Sequence, residues 1–404
     1  MSLDLSETAL QIDGMAATLK ARQGETGLRL QRAVEAVDAF NVADYESRRQ
    51  RSKATLAWNV PILVDAPAAR YAPPPPPEDF CVVAADGSHV DVDRNLPARC
   101  FVINIGVSVL TYGSQPDARL SSQPTLYARD DQLVIRDRHS STKEQAVEGA
   151  VLGAKRMVEE AKGLARAVAG LPADVPTMAL MDGSLLMLGL VGHGYQDFVL
   201  RELIEEGFVQ ALDDLKRMAT ERRLALASYI SLPRSAEVVN ALRLAVCPYE
   251  VADCNHHCGT TSVGERPCDV QVGGLLDRQL WWEVLEPGER SAVFTSSSPM
   301  TASYYRGHGL DFFYVHAGEE IGRVEVPEWV SSDEALLALT HSIIVEQCRR
   351  GPGYPIALME AHEQAVVTGA DRQLFVELVE KALFDQNMPT HHSEKSRSKR
   401  LRWL

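Results

Sequence analysis

Met178-Ala-Leu-Met-Asp-Gly-Ser-Leu-Leu186 carries a short apolar run into Asp-Gly-Ser, and the chain holds an earlier copy of the pattern, Cys81-Val-Val-Ala-Ala-Asp-Gly-Ser88. A run of this length closed by a glycine turn reads as a buried strand. The residue at its end would then sit at the carboxyl edge of the sheet, where open α/β sheets place their chemistry. Two such strands side by side would bring Asp86 and Asp182 to one edge. Paired carboxylates there supply the oxygen ligands that hard divalent cations take, as a site for phosphodiester cleavage requires. Asp-Gly is also an ordinary turn signal. Its repetition after two buried-looking runs turns the reading toward function.

The 404 residues suffice for one large domain or two ordinary ones, and 45% hydrophobic with 24% charged residues describes a soluble globular protein. No apolar run reaches the length of a membrane span, and the first thirty residues are polar and helical rather than signal-like, so a cytoplasmic location is expected. A net charge of −14 argues against a broad DNA-coating surface but leaves room for a locally basic channel.

Residues 1–72 read as a helical N-terminal segment, and five consecutive prolines, Pro73 to Pro77, make a stiff linker over 73–79. From residue 80 the pattern turns to strands, at about 80–85, 99–110 and 125–138, followed by a long helix over about 142–169 and then the second Asp-Gly-Ser strand. Three strands, a helix and a strand, with acids closing the first and fourth strands, is the order of a ribonuclease H-like fold. The fold class expected is therefore α/β, a ribonuclease H-like mixed sheet flanked by helices, with inserted elements. That topology puts the first half of the helix near the acidic edge, where a third carboxylate belongs. Glu144, Glu148, Glu159 and Glu160 are the candidates. With Ala161, Leu164 and Val168 taken as buried, Glu160 flanks the buried face and is favoured, with Glu159 and Glu148 as fallbacks.

Cys247, Cys254, Cys258 and Cys268, with His256 and His257, form a cysteine-rich insert at 247–268. Such a set could hold structural zinc or an iron–sulfur cluster, or stay a metal-free loop of reduced thiols. The run 390–404 is a basic C-terminal tail that could touch DNA phosphates.

Several blocks in order resemble the NurA nuclease family. They are the two Asp-Gly-Ser motifs, Tyr229-Ile-Ser-Leu-Pro-Arg-Ser235, Gly288-Glu-Arg-Ser291, Asp311-Phe-Phe-Tyr314, Gly322-Arg-Val-Glu-Val-Pro-Glu-Trp329 and Gly353-Tyr-Pro-Ile-Ala-Leu-Met-Glu-Ala-His362. The resemblance spans about 80–385, within a nuclease domain drawn at 80–389. It implies a ribonuclease H-like core, cleavage of DNA with manganese or magnesium, a homodimer, and a HerA-like hexameric ATPase as partner. Asp86 and Asp182 match the acids of the two motifs, Glu160 most plausibly the helix acid, and Tyr354 and His362 the C-terminal motif. His362 would orient water, ligate the metal beside the three acids, or stabilise the leaving group. The proline stretch and the cysteine insert depart from the family pattern. The chain has no Gly-x-x-x-x-Gly-Lys-Ser/Thr loop, so a motor would be another protein. The rival reading is a catalytically silent ribonuclease H-like adaptor that clamps DNA or a ring partner.

Overall fold

The computed structural model describes residues 4–56, 58–91, 98–140, 142–190 and 194–388 and divides into two compact units. The basic tail expected at 390–404 lies outside the described residues. No described helix is long and apolar enough to cross a membrane.

One unit comprises Met1–Pro73, Ser231–Ser298 and Asp311–Val324, so the N-terminal helices Leu5–Asp38 and Val42–Ser52 pack with later chain. Ala33 and Val37 bury against Leu242, Trp281 and Tyr314. Asp277, a fully buried acid of this unit, accepts from Val238 N, Val239 N and Tyr314 Oη at 3.2, 2.8 and 2.7 Å. It thereby satisfies open N–H groups at the start of the helix Glu237–Ala245. The prolines mark the border, since the unit ends at Pro73 and the next begins at Pro74.

The other unit, Pro74–Ile230 with Pro299–Leu310 and Glu325–Leu404, carries the two Asp-Gly-Ser motifs. Its strands are β1 (Phe80–Val90), β2 (Phe101–Tyr112), β3 (Asp117–Tyr127), β4 (Thr177–Asp182) and β5 (Leu224–Ile230). Within the unit they run in the order β3-β2-β1-β4-β5, antiparallel from β3 to β1 and parallel from β1 to β5. This mixed sheet flanked by helices is compatible with the ribonuclease H-like arrangement. Helix α1 (Ala150–Ala169) covers one face; α2 (Glu334–Arg350) and α3 (Ile356–Ala365) cover the other, and α4 (Gly369–Asp385) follows.

Two boundaries differ from expectation. The third strand lies at Asp117–Tyr127 rather than 125–138, because β3 is polar and exposed along all but its last residue and shows no apolar alternation. The helix starts at Ala150, not near 142, since Glu144–Ala146 pairs as a strand with Val134–Arg136.

The seat of α3 is made of small and polar residues. Even-numbered positions of β2 face it: Ser108 Oγ donates to Ala357 O at 2.7 Å, and Asn104 Nδ2 donates to Gln364 O and Ala365 O at 3.1 and 3.0 Å. Between them Gly106 lets the helix backbone touch the sheet. A Cβ there would lie 2.1 Å from Ala361 O and 2.4 Å from Ala365 N. Gln347 of α2, fully buried, accepts from Ala357 N at 3.0 Å and so caps the start of α3.

Gly106→Ala should therefore push α3 off the sheet and lower stability by about 1–3 kcal/mol. Gly153→Ala, within α1 and facing open space, should be neutral or raise the melting temperature. Thermal unfolding of the two variants beside the parent checks both; equal melting temperatures would refute the close-contact account.

Candidate active site

Asp86 stands mid-strand rather than at a strand end, because β1 goes on pairing with β2 through Val90. What stops beside it is the parallel ladder with β4, whose last pair is Ala85 with Met181. Asp86 and Asp182 are thus the next residues of two adjacent strands. Asp182 ends β4 opposite Tyr229 of β5.

Strand alternation assigns the faces. Cys81, Val83 and Ala85, with Ala179 and Met181, join the core under α1, so Asp86 and Asp182 point to the opposite face, where α3 lies. There His362 Nδ1 meets Asp86 Oδ2 at 2.7 Å, and Tyr354 Oη donates to Asp182 Oδ1 at 2.7 Å. Tyr354, in the loop ahead of α3, is braced edge-to-face by Tyr229, with ring centroids 5.5 Å apart and planes at 79°. His362 is exposed.

Glu160 comes from the other face. It lies on α1 and is 6% exposed, and it reaches the edge beneath Gly87. A Cβ on Gly87 would stand 2.5 Å from Glu160 Oε1, so the glycine of the first motif is a steric requirement rather than a turn signal. Glu160 Oε1 is buried and accepts no hydrogen bond; its nearest cation is Arg156 Nε at 3.5 Å. Burial pushes the Glu160 carboxyl up to about 8, Arg156 opposes this, and the charges of Asp86 and Asp182 add to the rise. Asp182 is also raised, by desolvation first and by Asp86 further, while the Tyr354 hydrogen bond opposes.

The structure brings Asp86, Glu160, Asp182, Tyr354 and His362 together. It does not bring the other helix candidates. Glu159 pairs with Lys155 and Lys162 at 3.6 and 3.8 Å, Glu148 precedes α1, and Glu144 pairs with Arg136 at 3.5 Å.

Three residues that shape the site were not singled out from sequence. Arg156 donates to Gly87 O as well as facing Glu160. Glu325 accepts from Ser184 Oγ at 2.8 Å and Leu185 N at 2.9 Å, pinning the loop that follows Asp182. Tyr305 Oη donates to Leu185 O at 2.8 Å and accepts from Met187 N at 3.0 Å, holding the same loop. Glu325 had a signal: an acid between Val324 and Val326 in a strand is buried only for a reason.

Among the described residues no three His, Cys, Asp or Glu side chains converge as ligands of one ion. The donor set nevertheless fits a hard divalent cation. It is three carboxylates and an imidazole, one carboxylate oxygen is buried and unsatisfied, and magnesium-like ions take only one or two carboxylates beside water and phosphate oxygens.

Glu160 has a stability signature in metal-free protein. It binds a proton up to about pH 8 when folded but loses it near 4.5 when unfolded, so its contribution is full below 4.5 and is lost as pH rises through 8. Glu160→Gln should flatten this decline and leave the variant more stable than the parent at pH 9; urea unfolding across pH in a chelator tests it.

The family model of the NurA domain matches residues 81–367, a span that holds all five site residues. No curated protein matches the chain. Similar solved structures include one described as NurA bound to dAMP and manganese, at 13% identity over 78% of this chain and 90% of that one, TM-score 0.35. Another, described as NurA with manganese, shows 13% identity over 77% and 90% of the respective chains, TM-score 0.35. With most of its length inside that domain, the chain belongs to the NurA family.

Proposed function

We propose that the chain is a divalent-metal-dependent deoxyribonuclease. The observation that carries the reading is the placement of Asp86 and Asp182 on adjacent strands just past the end of their parallel ladder, with Glu160, whose buried Oε1 has no hydrogen-bond partner, close enough for their charges to act on it. Family membership supports it. Asp86, Asp182 and Glu160 would hold manganese or magnesium, with His362 at the margin. When bound, the metal supplies charge neutralisation on the phosphate oxygens and acidifies water. Tyr354 fixes the Asp182 carboxylate by donating to Oδ1, and Glu325 keeps the following loop from carrying Asp182 away. His362, tied through Nδ1 to Asp86 and otherwise exposed, can move a proton at Nε2 to or from the reacting phosphate.

The reading extends to DNA end processing by a homodimer beside a HerA-like ring ATPase. Family membership and the lack of a nucleotide-binding loop in this chain support that extension. Degradation that quickens when a cognate ATPase and ATP are added would bear it out; indifference to both would remove it.

The central test is manganese-dependent degradation of end-labelled DNA. Asp86→Ala and Asp182→Ala should lose activity by roughly a hundredfold or more while remaining folded. Cleavage that survives both changes would refute the site, and folded wild type inert with every divalent metal would favour the silent adaptor.

A ligand must shed its proton before it binds metal. At subsaturating manganese, activity should therefore climb with pH toward about 8, where Glu160 ionises. Isothermal titration at pH 6 and pH 8 should show tighter binding at the higher pH, with proton release; equal affinity would show that Glu160 is not a ligand.

A further inference from the structure

Cys247, Cys254, Cys258 and Cys268 line one cavity within the unit that carries the N-terminal helices. Local structure collects them. Cys254 and Cys258 are the first and last residues of one short helix and share a face, Cys268 is the second residue of the helix Pro267–Val272, and Cys247 follows the helix Glu237–Ala245. The N-terminal segment clasps the insert: Arg48 Nη1 donates to Cys247 O at 2.8 Å and Ala252 N to Ser52 Oγ at 2.9 Å.

Three further residues line the same cavity, and each presents a buried N–H group without an acceptor: Trp58 Nε1, Arg243 Nε and Arg266 Nε. Buried donors are rarely left open, because an unmade bond costs about 1–3 kcal/mol. Arg243 already pairs through Nη2 with Asp269, yet its Nε and the two other donors stay open, so three N–H groups at one cavity call for a further acceptor. Neutral thiols accept weakly. Thiolates on a metal centre accept well and carry negative charge.

We propose that this cavity holds an iron–sulfur cluster ligated by the four cysteines, with Trp58, Arg243 and Arg266 donating to its sulfur atoms. Each thiol gives up its proton on ligation, and no cysteine changes oxidation state. A polynuclear centre suits the geometry better than zinc. Bonds of about 2.3 Å to one zinc ion draw its thiolates to within about 3.8 Å of each other, whereas these side chains surround a cavity and no three converge on one point. The Arg243 guanidinium lies 3.9 Å over the Trp58 ring, so two of the donors are set by one stack. Bound there, the cluster would pin residues 48–58 to residues 243–268.

The test uses the full chain purified without oxygen and supplied with equal amounts of ferrous and ferric iron and with sulfide, so that the mixed-valent cluster forms with no other oxidant. Wild type should bind roughly four iron and four acid-labile sulfide per chain, with visible charge-transfer absorption. Cys258→Ser and Cys268→Ser should fall to about a tenth of that, and Cys100→Ala, a buried thiol elsewhere, should keep it. Because a ligand variant can fail to fold, Trp58→Phe is the second probe: it should load normally and lose iron in air several-fold faster. Folded wild type that takes up no iron and sulfide would overturn the proposal, as would one zinc per chain without sulfide or full loading in the cysteine variants.

Discussion

A carboxyl group buried without enough hydrogen bonds is the constraint on which the site rests. Removing a charge from water is expensive, and a group so placed answers by holding its proton. Glu160 does this, and three features exist to keep it there. Gly87 leaves the space, Arg156 stands beside it, and α1 fixes its position through Ala161, Leu164 and Val168, all fully buried. The opposite face carries a matching arrangement. Gly106 admits α3, and the helix then delivers His362 to Asp86. Each motif acid thus has one partner above the sheet, while the third acid waits below it. The cost in stability is concentrated at one edge, as is common where a protein keeps polar groups poised for a ligand.

The two acids were legible because the signal was local: an apolar run, then Asp-Gly-Ser, twice. Glu160 was legible by helical phase, since its neighbours on the buried face are apolar and Glu159 points away toward lysines. Tyr354 and His362 came through family resemblance alone. Arg156 looks like any helical surface cation, and its pairing with Glu160 and Gly87 O depends on a parallel strand register that no spacing encodes. The third strand was misplaced for a related reason. Asp117–Tyr127 forms by backbone pairing with β2 and buries almost nothing, so it leaves no periodic trace. The cysteine insert was visible as composition; the convergence of Trp58, Arg243 and Arg266 on it was not.

Two long helices remain largely bare. Leu5, Leu10, Ile12, Met15 and Leu19 of the first helix are exposed, and α4 buries no residue although Leu374, Leu378 and Phe384 lie along it. Their helical form is supported by end chemistry. Asp4 accepts from Ser6 N and Glu7 N, and Thr368 with Asp371 forms a reciprocal cap.

The polar character of β3 has a consequence for how the protein behaves in a crowded cell extract. Among the described residues it is the last strand at that side of the sheet, and an outermost strand is the kind of template onto which other chains can add. Behind it, β1 and β2 hold nearly continuous buried runs of Val, Ile and Ala. Asp117 and Arg119 bring charge to that border, and Pro124 removes one donor from it. A strand that contributes so little to the core therefore works as a shield, keeping a sticky sheet from growing past its own last member.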